Sequence, residues 1–219
     1  MRAALLLVLL TLATVPLVAC TPVDAAPVRS GPSPDADSPG AAPSVLLDQL
    51  PVRAEGDAAS YRRAAFGRRW ADVDHNGCST RDDVLARDLA QVRRRGRCVV
   101  VAGTFTDFYT GAPGRFEKAQ AELVQVDHVV ALAEAWRSGA STWSDERRLR
   151  YANDPAVLVL TSRSVNAGKG DEDAGTWAPA ARDGACRFAR KVVEVKTAYG
   201  LSVDPRERIG LLADLAVCD

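Results

Sequence analysis

Four cysteines, Cys78, Cys98, Cys186 and Cys218, constrain the fold of this chain more than any other feature. An even set of cysteines in an exported domain implies disulfides, each of which removes conformations from the unfolded chain. Four cysteines allow three connectivities. Pairing within one local segment predicts Cys78–Cys98 and Cys186–Cys218. A zinc site is the weaker reading, because no C-x-x-C occurs and the two histidines are not at ligand spacing.

Export is read from the N-terminus. Arg2 precedes an apolar run from Ala3 to Ala19, short for a membrane span and suited to a signal-peptide core. The run ends in Leu17-Val18-Ala19-Cys20, which resembles the lipobox of bacterial lipoproteins; the plainer alternative is a signal peptide with a chance cysteine. Residues 1–20 are thus expected to be a signal peptide with Cys20 as the lipidation site. Acylation would anchor the protein to the outer face of the cell membrane without spanning it, and without acylation the protein would be secreted. Residues 21–44 are rich in Pro, Ser, Ala, Gly and Asp, cannot bury a core, and read as a flexible linker. A single domain is expected over residues 45–219, and a monomer is assumed.

Lys+Arg and Asp+Glu stand at 28 each, so no global field holds a polyanion. Arg93-Arg94-Arg95 with Arg97, and Arg147-Arg148 with Arg150, are local basic clusters that read equally well as solvated helix faces. Helical spacing is read over Ala58–Trp70, Thr80–Arg95 and Ala185–Tyr199. "CVVVAGTFTDFYTG", "ELVQVDHVV" and "AVLVLTS" read as strands, "LAEAW" as a helix ending near Gly139, and "NAGKGDEDAGTW" as a loop entering a short helix.

The strand "VQVDHVV" carries two ionisable groups, Asp127 and His128, between valines. Successive strand side chains point to opposite faces, so the strand is expected to bend or end there. Asn153 stands just before "AVLVL", Asn166 just after it, and Lys169 three residues later. Singly, these are a buried histidine, a turn or cap residue and ordinary loop residues. Jointly, Asp127-His128, Asn153 and Asn166 resemble the motif of HNH (ββα-metal, His-Me finger) nucleases in its Asp-His-Asn-Asn form. The longer stretch from Trp70 to the C-terminus is similar to exported actinobacterial relatives of the C-terminal domain of GmrSD restriction endonucleases.

The resemblance implies an α+β fold, a ββα-metal core with surrounding helices, here stapled by two disulfides. It implies a metal-dependent endonuclease that hydrolyses phosphodiester bonds of nucleic acid, DNA more than RNA. A neutral imidazole can take a proton from water at neutral pH, which makes His128 the general base. Asp127 and Asn166 offer the hard oxygen ligands that Mg²⁺, or another divalent cation, prefers. In the family the middle asparagine braces the loop bearing the histidine, a role that falls to Asn153. Lys169 is expected at the catalytic centre on a substrate phosphate, and Arg150 is a second phosphate candidate. Glu134 reads as a solvated helix charge, and Trp136, Trp143 and Trp177 as core.

"DVDHNGCSTRDD", Asp72 to Asp83, resembles an EF-hand loop: Asp72, Asp74 and Asn76 fall at positions 1, 3 and 5, and Gly77 at 6. Position 12 is Asp83 instead of Glu, position 8 is Ser79, and no partner hand exists. An Asx-rich turn tied down by Cys78, with His75 facing solvent, is the preferred reading over a Ca²⁺ site. The rival function is a calcium-binding or cell-envelope binding module on an inactive HNH scaffold. Retention of Asp127, His128 and Asn166 together favours the enzyme.

Overall fold

The computed structural model describes residues 42–218. The signal-peptide, Cys20 and most of the linker expectations lie outside them. The first element, α1 (Pro43–Gln49), begins two residues before the expected domain start. The next helix, α2 (Thr80–Asp88), starts at Ser79, whose Oγ accepts from the Asp82 amide at 3.2 Å. Asp82 and Asp83 in its first turn complement the helix dipole.

The helix expected to run to Arg95 stops at Asp88. Ala90–Arg95 is instead β1, paired antiparallel with β2 (Val99–Thr106). The arginines have only Val92 to bury, so no apolar helical face exists beyond Leu89. Gly96, at φ 65°, makes the turn, and the Cys78–Cys98 disulfide ties the hairpin to the start of α2. The third strand of this sheet, β3 (Pro113–Glu117), pairs with β2.

A second, two-stranded sheet carries the HNH-like residues. β4 (Val124–His128) pairs antiparallel with β5 (Leu158–Ser162), setting Asp127 opposite Val159 and His128 opposite Leu158. The strand ends at His128, as the alternation argument requires. The chain between the two strands forms α3 (Leu132–Arg137) and α4 (Asp145–Ala152). Directly after β5 comes α5 (Arg163–Lys169), capped by Ser162. The expected loop over "NAGK" is therefore the end of this helix, and the loop follows it. Two strands and α5 make the ββα unit. α6 (Arg182–Tyr199), close to the expected span, packs on α7 (Pro205–Leu215) and α1.

The other correction lies at Ala58–Trp70. Only two single 3₁₀ turns form there, Ala58–Ser60 and Arg63–Phe66. Gly67 (φ 71°) and Trp70 (φ 56°) both take left-handed backbone, which no continuous helix tolerates. Trp136, Trp143 and Trp177 are half-buried against one core that includes Phe66, Tyr109, Tyr151 and Phe188.

Glu134 is 2% exposed, not solvated. Its Oε1 accepts from the Lys196 ammonium at 2.7 Å, which also donates to Glu207 Oε2 at 2.5 Å and to the Ser202 carbonyl at 2.9 Å. Burial pushes the Glu207 carboxyl up to about 8, although Lys196 opposes the shift. A raised carboxylate contributes stability below its ordinary 4.5 and loses it as pH rises through about 8. Denaturation midpoints should decline across that window in the wild type and decline less in Glu207→Gln. Equal slopes would show that Glu207 titrates normally.

The disulfides form as predicted, Cys78–Cys98 and Cys186–Cys218, closing sequence separations of 20 and 32 residues. Loop-closure entropy gives about 3–4 kcal/mol for each. Thermal melts of the Cys78→Ala/Cys98→Ala and Cys186→Ala/Cys218→Ala pairs should both drop by several degrees; an unchanged midpoint would contradict this.

Candidate active site

The end of β4 buries both of its ionisable residues: Asp127 is 8% exposed and His128 7%. The His128 Nε2 lies 2.9 Å from the carbonyl of Ala152, the last residue of α4. A carbonyl only accepts, so Nε2 carries the proton and donates it, and Nδ1 keeps its lone pair. Burial pushes the imidazole pKa down to about 4; the Ala152 carbonyl and Asp127 oppose this, and Arg63 and Lys169 lower it further. The ring is therefore neutral at physiological pH. It stacks at 19° on the ring of Tyr151, whose hydroxyl donates to the Val130 carbonyl at 2.6 Å.

Asp127 Oδ2 accepts from the Tyr109 hydroxyl at 2.6 Å and faces the Lys169 ammonium at 3.0 Å. Lys169 also donates to the His128 carbonyl at 3.0 Å and is wholly enclosed. The structure thus brings Asp127, His128 and Lys169 together, but Lys169 has no face toward a phosphate in solvent. Tyr109 was not legible as a site residue. Its position is set by Asp107, which accepts from the Tyr109 and Thr110 amides and, through its other oxygen, from Thr161 Oγ1 and the Ser162 amide. The one sequence signal was the Asx turn in "TDFYTG".

Asn166 is half-buried on α5, three residues before Lys169 and so on the same helix face. Its side-chain amide makes no hydrogen bond among the described residues. Arg150 is exposed on α4 and does not line the His128 pocket. Asn153, fully buried, caps α4. Its Nδ2 donates to the carbonyls of Leu149 (2.9 Å) and Arg68 (3.1 Å), and its Oδ1 accepts from the Ala71 amide at 2.8 Å. Its side chain makes no bond to the segment bearing His128; it acts beside that segment, fixing the end of α4 where Ala152 meets the imidazole.

His128, Leu132 and Ala152 share a small pocket with Arg63, Phe66, Gly67, Arg68, Arg69 and Trp70. The arginines come from the 3₁₀ turn and the loop after it, and the sequence reading had not tied them to the site. Nothing local marks them, because His128 lies about 60 positions further along the chain and Asn153, which bonds Arg68, 85 positions.

The donor set suits a hard divalent cation. Asp127 Oδ1 accepts no hydrogen bond from a described residue, and the Asn166 amide oxygen is equally uncommitted; both are hard oxygens. The Asp72–Asp83 loop fits less well. Asp72 accepts from the Asn76 and Gly77 amides, Asp74 from the Asn76 amide and Nδ2, and Asn76 Oδ1 from the Cys78 amide. Those oxygens are spent on an Asx-rich turn, and His75 is exposed beside it. Among the described residues, carboxylates gather within 4.8 Å in two other triads, Glu55–Glu134–Asp173 and Asp173–Asp204–Glu207. Lys196 and Arg137 already sit against these.

Residues 79–200 match the family model described as GmrSD restriction endonucleases, C-terminal domain. The match runs from the cap of α2 to the end of α6, over more than half of the chain. A protein of Arthroderma benhamiae, described as an uncharacterized secreted protein, is 35% identical over 176 residues, 79% of this chain and 83% of that relative. No solved structure matches. The secreted relative and the two disulfides fit export. With the Asp127-His128, Asn153, Asn166 pattern set on a ββα unit, the chain belongs to the HNH-type family of GmrSD restriction endonuclease C-terminal domains.

Proposed function

We propose that the protein is an exported endonuclease, dependent on Mg²⁺ or another divalent cation, that hydrolyses phosphodiester bonds of nucleic acid, DNA before RNA. The observation that carries this reading is the fixed tautomer of His128, a neutral imidazole whose bare Nδ1 belongs to a ring lining an arginine-rimmed pocket. Nδ1 takes the proton of a water as that water attacks phosphorus. The imidazolium that forms keeps its Nε2–H on the Ala152 carbonyl and has the Asp127 carboxylate nearby. Asp127 and Asn166 hold the cation, which when bound supplies charge stabilisation at the phosphate and the leaving oxygen. Lys169 serves this site from below: it compensates the Asp127 charge and fixes the His128 carbonyl. In the same reading Cys20 is acylated, residues 21–42 tether a monomeric domain to the outer face of the membrane, and Arg150 lies along the path of the substrate. The calcium-module alternative gains no support from a loop whose oxygens serve its own backbone.

Plasmid nicking against Mg²⁺ concentration tests the assignment. His128→Ala should lose on the order of 10²–10⁴-fold in rate with little change in metal dependence. Asp127→Ala and Asn166→Ala should raise the Mg²⁺ needed for half-maximal rate, and His75→Ala should behave as wild type. Cleavage that survives EDTA, or a His128→Ala variant at wild-type rate, defeats the reading.

Lys169 separates a buried brace from a phosphate contact. Lys169→Met leaves Asp127 unpaired and should cost on the order of 3–5 kcal/mol in urea unfolding. A phosphate-binding lysine would leave stability within about 0.5 kcal/mol of wild type and weaken only substrate binding.

A further inference from the structure

We infer that the loop Arg63–Trp70 is the phosphate-binding wall of the site, with Arg68 and Arg69 as its contacts, and that Asn153 is the positioning residue that holds it. The inference rests on the nuclease reading and names what that reading lacks, the cationic surface that meets the substrate backbone. Arg63, Arg68 and Arg69 are exposed, line the pocket that His128 also lines, and form no ion pair with an acidic side chain among the described residues. Most other arginines near the core are committed: Arg148 to the Ala65, Ala140 and Trp143 carbonyls and Asp145, Arg137 to Glu55, Glu134 and Asp171. An uncompensated cluster beside a general base, on a chain of zero net charge, matches a polyanion that must be gripped at one place.

The loop is also held in shape against local preference. Trp70 sits at φ 56°, left-handed backbone that a bulky residue avoids, and such backbone persists only where the surroundings over-determine it. The Asn153 side chain supplies that constraint by bonding Arg68 on one side of Trp70 and Ala71 on the other. Thr80 Oγ1 adds a bond to the Ala71 carbonyl at 2.5 Å. Gly67 lets the turn lie against α4, where a Cβ would come within 2.8 Å of Leu149 Cδ1. One asparagine thus fixes both walls of the pocket, the α4 end that orients the imidazole and the loop that bears the arginines.

The test uses the full mature protein and a labelled DNA duplex. Cleavage kinetics are measured for Arg68→Ala/Arg69→Ala, Asn153→Asp and, as a control with the same loss of charge, Arg94→Ala/Arg95→Ala on the exposed β1. Binding by anisotropy is followed against salt in a His128→Ala background. The loop double variant should raise KM at least tenfold with a smaller change in kcat. It should also flatten the log–log salt dependence of binding by about 2, the release expected for two phosphate contacts. The β1 control should do neither. Asn153→Asp keeps the acceptor for Ala71 but loses the donors to Arg68 and Leu149. It should raise KM through the loop and lower kcat through the α4 end, and its KM effect should add little further in the Arg68→Ala/Arg69→Ala background. If the loop variant matches the β1 control in KM and salt slope while His128→Ala still abolishes cleavage, the loop inference fails and the nuclease reading stands. If the wild type neither cleaves nor binds the duplex, both fall.

Discussion

The ammonium of Lys169 is the interaction on which the site depends. It is wholly enclosed, and a buried cation costs several kcal/mol unless it is paired and hydrogen-bonded. Its two partners are the Asp127 carboxylate and the His128 carbonyl, both at 3.0 Å. α5 therefore has to dock where its last residue reaches the end of β4, and this contact turns two strands and a helix into a ββα unit. Asn166, three residues earlier, is carried to its place by the same docking. Tyr109 reaches Asp127 from the segment between β2 and β3, so the three-stranded sheet is tied to the same carboxylate.

From the other side the site is closed by the end of α4. Asn153 has no exposure and spends its amide on three backbone groups, so the carbonyl of Ala152 has one direction available, toward Nε2 of His128. This is pre-organisation in a specific sense: the imidazole is kept neutral by burial and in one tautomer by a fixed acceptor. The balanced overall charge is consistent with such a design. In the proposed reading the cations that meet the substrate are local, while buried or half-buried ones such as Lys196, Arg137 and Arg148 are paired with carboxylates or spent on backbone carbonyls.

Elements that depend on local pattern were legible in the sequence. The disulfide pairing followed from proximity along the chain, β4 and β5 from their apolar runs, α6 from its spacing, and the end of β4 from the impossibility of alternation at Asp127-His128. What was not legible depends on tertiary contacts. Val92 among arginines reads as a helix face until β2 supplies a partner strand. Glu134 reads as solvated until Lys196, 62 residues away, is brought against it. Lys169 reads as a phosphate contact because a lysine after an asparagine turn is ordinarily exposed; only the docking of α5 buries it. The arginine loop carries no signal of its own, because its link to the site is an asparagine 85 positions from Arg68.

The central claim is that His128 stands neutral, with its proton on Nε2 and Nδ1 free. Nitrogen-15 NMR of the imidazoles tests it directly, since the chain has only 2 histidines and a His75→Ala variant leaves one ring to observe. At neutral pH the account predicts a protonated Nε2 and an unprotonated Nδ1, unchanged well below pH 6. A ring protonated at Nδ1 instead, or at both nitrogens at neutral pH, would contradict it.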